Sequence, residues 1–172
     1  MKSFAVRKIT LTAVLSAAAL ISFLIENLFP PLFIAGARLG ISNVFVLFAA
    51  IYLGTAEGFT VIAVKIILGS VFSGNVSAML YSFPAGIISL SAQIIMLYYF
   101  KRISVVAIST VGGTINLILQ NAVFCLIAGG EYIIYLPYLS GIGAFSGAFV
   151  GFTVYLLIKR VPRKFIGTEN LS

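Results

Sequence analysis

The chain has 172 residues, of which 61% are hydrophobic and 9% are charged, and its formal net charge is +7. A mean hydropathy of +1.17 excludes a soluble domain, because a fold of this length cannot hide that much apolar surface. His and Asp are absent and only four residues are acidic, which excludes a His/Cys metal site and a Ser-His-Asp triad. The sequence therefore predicts a membrane protein that is not an enzyme and that needs no metal or cofactor.

Six apolar runs follow one another and form a single predicted transmembrane domain over residues 1–164. The predicted spans are approximately 9–28, 39–54, 59–72, 78–100, 104–128 and 132–158. Span one is too long for the apolar region of a signal peptide, so we expect it to remain uncleaved. Residues 165–172 are expected to form a flexible cytoplasmic tail. The predicted fold class is an all-α integral membrane bundle of six transmembrane helices.

The basic residues cluster at the ends of the apolar runs, as in membrane proteins rather than nucleic-acid-binding proteins. In a six-span topology, nine cations lie on one side of the membrane and Arg38 alone lies on the other. The nine are Lys2, Arg7, Lys8, Lys101, Arg102, Lys159, Arg160, Arg163 and Lys164. Both termini are therefore predicted to be cytoplasmic, and we expect no nucleic-acid partner.

Span one carries small residues at Ala13 and Ala17, which share one helix face because they are four residues apart. Such a face allows the close approach of another helix. That helix belongs either to a partner protein or to this chain itself.

The segment between spans one and two combines a double proline, Pro30-Pro31, with Arg38 and Asn43 at the predicted start of span two. Unpaired N–H groups and the positive end of the dipole at a helix start favour an anionic or carbonyl-bearing ligand. The alternative is an interfacial ion pair between Arg38 and Glu26.

Lys65 lies near the middle of span three, where a lysine usually faces a cavity or a partner. The alternative is a lysine that extends its side chain to the membrane surface. We expect Lys65 to meet an anionic or carbonyl group deep in a cup, with Arg38 at the mouth.

Span five repeats polar or small residues at four-residue spacing, with Gly112, Asn116 and Gln120 on one face and Asn121 next to it. Amides in lipid need partners, so this face must meet other helices or water. The alternative role is hydrogen bonding between helices. Because Asn43, Tyr81 and Ser82 lie at the same level, the sequence predicts a cup that opens outward and is closed below.

Glycines at 143, 147 and 151 in span six form a stripe that predicts close helix packing.

Several motifs together resemble one family over roughly residues 8–160. They are the Ala-x-x-x-Ala of span one, Pro30-Pro31, the stretch 36–43, Lys65 before 68–70, the stretch 80–86 and the stretch 135–138. The chain resembles the Gx transporter family, also called heptaprenyl diphosphate synthase component I. Members of that family resemble the substrate-binding S components of energy-coupling factor (ECF) transporters. Residues 113–116 of this chain read Gly-Thr-Ile-Asn, where the family often has a His.

The resemblance implies a vitamin-capturing subunit of six helices. Ala13 and Ala17 would dock on a membrane coupling protein driven by two ATPases, and the substrate cup would be lined by a matching set of residues. That set is Arg38, Asn43, Lys65, Tyr81, Ser82, Asn116, Gln120 and Asn121.

We therefore expect an ECF S component in the cell membrane of a bacterium, surrounded by lipid. Its substrate would be small, anionic and vitamin-, flavin-, quinone- or isoprenoid-like. The alternative is a non-catalytic membrane accessory subunit of a prenyl diphosphate synthase or of a redox or flavin complex. A catalytic prenyl synthase is excluded, because Mg²⁺-diphosphate needs clustered carboxylates that this chain lacks.

Overall fold

The computed structural model describes residues 2–28, 40–100 and 102–161, and every regular element within those ranges is helical. The elements are α1 (Lys2–Leu28), α2 (Ser42–Tyr52), α3 (Thr55–Phe72), α4 (Ser77–Tyr99), α5 (Val105–Ala128), a 3₁₀ helix (Gly130–Tyr135) and α6 (Leu136–Arg160). Five segments are long and apolar enough to cross a membrane: α1, α3, α4, α5, and α6 together with the 3₁₀ helix. The predicted all-α membrane bundle is confirmed.

Helix α2 differs from its prediction because it is shorter than the apolar run that contains it. It has 11 residues, which span about 16 Å, or roughly half of a 30 Å hydrocarbon core. Glycines limit it on both sides: Gly40 has φ +69° and Gly54 has φ +131°. Residues with a β-carbon rarely adopt these angles, so the helix begins after Gly40 and ends before Gly54.

Two contacts fix the direction of the helices. Lys8 Nζ lies 2.7 Å from Glu57 Oε1, so α1 and α3 begin at the same end of the bundle. The Tyr52 hydroxyl hydrogen-bonds the Val161 carbonyl oxygen at 2.6 Å, so the end of α2 lies beside the end of α6. The first and last described residues therefore lie at one end of the bundle, as the six-span topology predicts.

The last span, predicted at about 132–158, agrees with the apolar segment Gly130–Arg160. It has two helical parts, because a 3₁₀ helix precedes α6 and α6 begins at Leu136. Pro137 is the second residue of α6. Proline lacks an N–H group, so it disturbs an α-helix least in the first turn, where that group would have no partner within the helix.

The helices form two halves, α1–α3 and α4–α6. Helix α1 packs mainly on α2 and α3, and the halves meet where α3 contacts α4 and where α2 contacts α6. Within the second half, α6 approaches α5 through its glycine stripe. A β-carbon at Gly143 would lie 2.7 Å from Gly113 O, and one at Gly151 would lie 2.7 Å from the Val106 Cα. The predicted close packing of this stripe is confirmed.

Candidate ligand-binding site

A cavity of about 110 Å³, lined by both polar and apolar side chains, lies between the two halves and receives residues from all six α-helices. Six of the eight residues predicted to bind a substrate line it: Asn43, Lys65, Tyr81, Ser82, Asn116 and Gln120. Arg38 lies outside the described residues, so its role at the mouth remains a prediction. Phe23 and Tyr81 give the cavity aromatic walls, and Tyr81 packs edge-to-face on Phe124 with 5.6 Å between ring centroids.

Lys65 lies on the wall of this cavity, and only 5% of its surface is exposed. It lies ten residues into α3, or roughly 15 Å from the start of that helix. Its Nζ donates a hydrogen bond to Asn43 Oδ1. The short α2 makes this contact possible, because Asn43 is its second residue and lies at the depth of Lys65. A lysine that reached the membrane surface would leave Nζ in solvent, so that alternative does not describe Lys65.

Glu26 fills the position at the start of α2 that the sequence had suggested for an anionic ligand. Its carboxylate accepts hydrogen bonds from the Ile41 N–H and the Ser42 hydroxyl. A carboxylate at this position is favoured by the positive end of the helix dipole. The start of α2 is thus neutralised by the protein itself, and Glu26 places a negative charge on the cavity wall. Among the described residues, Lys65 provides the positive charge on that wall.

The amides of α5 divide into two groups. Asn116 and Gln120 line the cavity, whereas Asn121 does not. Asn121 is 7% exposed, and its Nδ2 donates to the Tyr132 carbonyl oxygen at 3.3 Å. Asn121 therefore ties α5 to the 3₁₀ helix, as the alternative of hydrogen bonding within the bundle describes. Asn116 Oδ1 is buried, and no donor in the described part of the chain reaches it.

The cavity extends to a depth that the sequence did not predict. Ser89, Gln93, Ser109 and Ser146 line it as well. The Ser89 hydroxyl donates to the Gly112 carbonyl oxygen at 2.7 Å and accepts from Gln93 Nε2 at 3.3 Å. The close approach of Gln93 requires Gly112, because a β-carbon there would lie 2.3 Å from the Gln93 amide. Ser89 and Gln93 are four residues apart, a spacing that could have indicated this polar face.

An aliphatic cluster adjoins the inner part of the cavity. It consists of the buried residues Val44, Leu47, Val150 and Val154. Leu47 and Val150 also line the cavity, and Val154 lies one turn further along α6. That the cavity is closed at this end and opens outward stays a prediction.

The two alanines of α1 lie outside the packed interior of the bundle. Ala13 and Ala17 are exposed, whereas Thr12, Ser16 and Ala19 form the buried face of the same helix. The proposal that Ala13 and Ala17 pack against another helix of this chain therefore does not fit the described structure. Their face is available to lipid or to a partner.

The described residues contain no group of three or more His, Cys, Asp or Glu side chains that could hold a metal ion. What the cavity offers is hydrogen bonding, one lysine, one carboxylate and aromatic walls. Such a set can bind and orient a small polar molecule.

Comparison with known proteins gives one match. A family model described as heptaprenyl diphosphate synthase component I matches residues 15–157. No curated protein and no solved structure shows significant similarity to the chain.

Proposed function

The chain belongs to the heptaprenyl diphosphate synthase component I family, which is the Gx transporter family and is ECF S-component-like, and we propose that it is a substrate-binding S component. In this role the chain captures a small acceptor-bearing compound from the outer face of a bacterial plasma membrane. It performs no chemistry on that compound. A coupling membrane protein and two ATPases supply the energy for uptake.

The observation that carries the proposal is the buried lysine on the cavity wall. Burying a charged side chain in the membrane is costly, so such residues usually serve an ion, a ligand or a partner group. Lys65 is oriented by Asn43 and lies beside amides and hydroxyls rather than among aliphatic side chains alone. An anionic or carbonyl group of a ligand would find a positive charge there.

The exposed alanine face of α1 supports the partner in the proposal. Ala13 and Ala17 are exposed beside Val14 and Ile21, so the face is apolar and has small residues at its centre. Small residues let two helix backbones approach closely in a membrane. This suits docking on another membrane protein.

The first experiment tests ligand binding. The protein is purified from membranes, and the compound that accompanies it is identified by mass spectrometry and titrated back onto stripped protein. We expect Lys65→Met to weaken its binding by about 30-fold or more, because truncating one side of a buried charged contact costs about 2–5 kcal/mol. Lys159→Met is the matched control, since Lys159 is exposed and lies over the Tyr155 ring. Equal binding by wild type and folded Lys65→Met would contradict the proposal.

The second experiment tests docking with three alanine-to-leucine variants. Ala17→Leu should abolish uptake while leaving ligand binding intact, because it changes only an exposed face. Ala122→Leu, on an exposed position of α5, should leave both unchanged. Ala19→Leu should unfold the subunit, because Ala19 is completely buried. If Ala17→Leu unfolds the protein as Ala19→Leu does, the alanine face packs within the chain.

The family description favours a second candidate, a membrane accessory subunit of a prenyl diphosphate synthase. An accessory subunit would differ from an S component in that it binds a protein partner and captures no small compound. In that case, a soluble prenyl synthase subunit should co-purify with the chain. The synthase activity of that subunit should change when the chain is removed from it. Lys65→Met would not be expected to affect that partnership.

A further inference from the structure

The two asparagines of α5, Asn116 and Asn121, differ in their hydrogen bonding. The two residues lie on the same helix, five positions apart. Asn121 Nδ2 donates to the Tyr132 carbonyl oxygen. Asn116 Oδ1 is cut off from solvent, and no donor of the described chain reaches it, although Asn116 lines the cavity.

A buried acceptor without a donor destabilises the folded protein, because it has lost its hydrogen bond to water and gained none. Groups of this kind in native proteins usually have a functional reason. Asn116 belongs to the wall of the cavity, which suggests such a reason. Because Oδ1 itself is closed to solvent, the amide must turn toward the cavity before a molecule there can donate to it.

We propose that the ligand donates a hydrogen bond to Asn116 Oδ1, in addition to presenting an acceptor to Lys65. The inference rests on the proposed function, since it deepens the description of the same cavity. The ligand class is then a small compound that carries an N–H or O–H donor together with an anionic or carbonyl group. Quinones and prenyl diphosphates, which at neutral pH offer essentially only acceptors, fit this cavity poorly.

Gln120 does not change this assignment. It lies four residues beyond Asn116 on the same helix face and also lines the cavity. A glutamine amide offers both a donor and an acceptor, so Gln120 accommodates either kind of group. The Glu26 carboxylate on the same wall already accepts from Ile41 and Ser42, whereas Asn116 Oδ1 has no donor in the described part of the chain. We therefore assign selectivity for a donor to Asn116.

The first test needs no ligand and uses the two asparagines as a matched pair. Leucine has nearly the shape of asparagine without its polar atoms. We expect Asn116→Leu to raise the midpoint temperature of the ligand-free protein by about 2–6 °C, because it removes an unsatisfied acceptor. Asn121→Leu should lower that temperature, because it removes a formed hydrogen bond. If Asn116→Leu lowers the temperature as well, Asn116 is held by a structural partner such as a water molecule and the proposal is wrong.

The second test compares two probes that differ in one donor. Para-hydroxybenzoate has a carboxylate and a hydroxyl group, whereas para-fluorobenzoate has a similar shape and no donor. We expect wild type to bind the hydroxyl compound at least about 10-fold more tightly in calorimetric titrations, and Asn116→Leu to lose that preference. Equal affinity for the two probes would overturn the donor assignment, and so would failure to bind either probe. A preference for the hydroxyl compound that survives in Asn116→Leu would overturn it as well.

The two proposals fail in different ways. If Lys65→Met still abolishes binding of the co-purified compound but the hydroxyl preference is absent, the donor assignment is wrong and the proposed function stands. If no compound is captured and Lys65→Met has no effect, the proposed function is wrong. In that case Asn116→Leu still reports whether the acceptor is unsatisfied.

Discussion

The glycine stripe of α6 allows a sharp stability prediction for Gly147→Ala. A β-carbon at Gly147 would lie 2.4 Å from the Ser109 carbonyl oxygen and 2.8 Å from the Thr110 Cα. Both atoms belong to the backbone of α5, so no side chain can rotate away. Because ordinary contacts lie beyond about 3.4 Å, α5 and α6 would have to separate by roughly 1 Å.

Two opposing effects set the magnitude. Overpacking a tight contact costs about 1–3 kcal/mol, whereas replacing glycine by alanine inside a helix gains up to about 1 kcal/mol. Gly141→Ala isolates the second effect, because it lies on the same helix and no atom lies within 4 Å of its added β-carbon. We therefore expect Gly147→Ala to be less stable than Gly141→Ala by about 1–3 kcal/mol.

Thermal unfolding of the detergent-purified variants, followed by the loss of the helical circular dichroism signal, measures this difference. At roughly 2–4 °C per kcal/mol for a chain of this size, Gly147→Ala should melt several degrees below Gly141→Ala. Equal melting temperatures would refute the reasoning, because they would show that α5 and α6 are not in backbone contact at Gly147.

Two further predictions concern topology and the start of α2. A reporter fused after Ser172 should be cytoplasmic, and one inserted at Gly130 should be external. The reason is that nine of the ten cations outside the span interiors lie on the side of the termini. The reverse pattern would overturn the predicted orientation of the chain in the membrane. Glu26→Gln should destabilise the protein by about 0.5–2 kcal/mol in denaturation experiments, because the carboxylate that accepts from Ile41 and Ser42 loses its charge. Unchanged stability would show that the dipole interaction contributes nothing there.

Much of the fold could be predicted because the membrane imposes simple rules on length and charge. The apolar runs predicted α3, α4 and α5 to within a few residues, and the glycine spacing predicted close packing of α6, although not that its partner is α5. The length of α2 could not be predicted in the same way. Its apolar run continues through Gly40, and only the backbone angle of φ +69° shows that the helix begins after it.

Residues of the candidate site could be predicted mainly where placing their side chains in lipid without a partner costs much free energy. Residues without such a cost were mostly missed. Lys65 and the amides of α5 stand out because each needs a partner inside the membrane. Serine gives no such signal, because its hydroxyl can bond a carbonyl of its own helix. Ser91 does so with the Ile87 carbonyl at 2.8 Å, whereas Ser89, two residues earlier, reaches across to Gly112 and lines the cavity.

Which asparagine of α5 has a hydrogen-bond partner could be learned only from the three-dimensional structure. Asn116 and Asn121 have the same chemistry and lie on the same helix, and composition cannot tell which of them has a partner. The difference comes from the 3₁₀ helix, which places the Tyr132 carbonyl beside Asn121.

The division of the bundle into two halves has a consequence for biosynthesis. Helices α1–α3 leave the ribosome first and pack mainly on one another, so they can assemble in the membrane before α4–α6 are made. The cavity draws its walls from both halves and therefore comes into existence only when the second group joins the first. The turn between Phe72 and Ser77 is the natural place to divide the gene. Two co-expressed fragments that end and begin there should complement each other, and recovery of ligand capture would report their assembly.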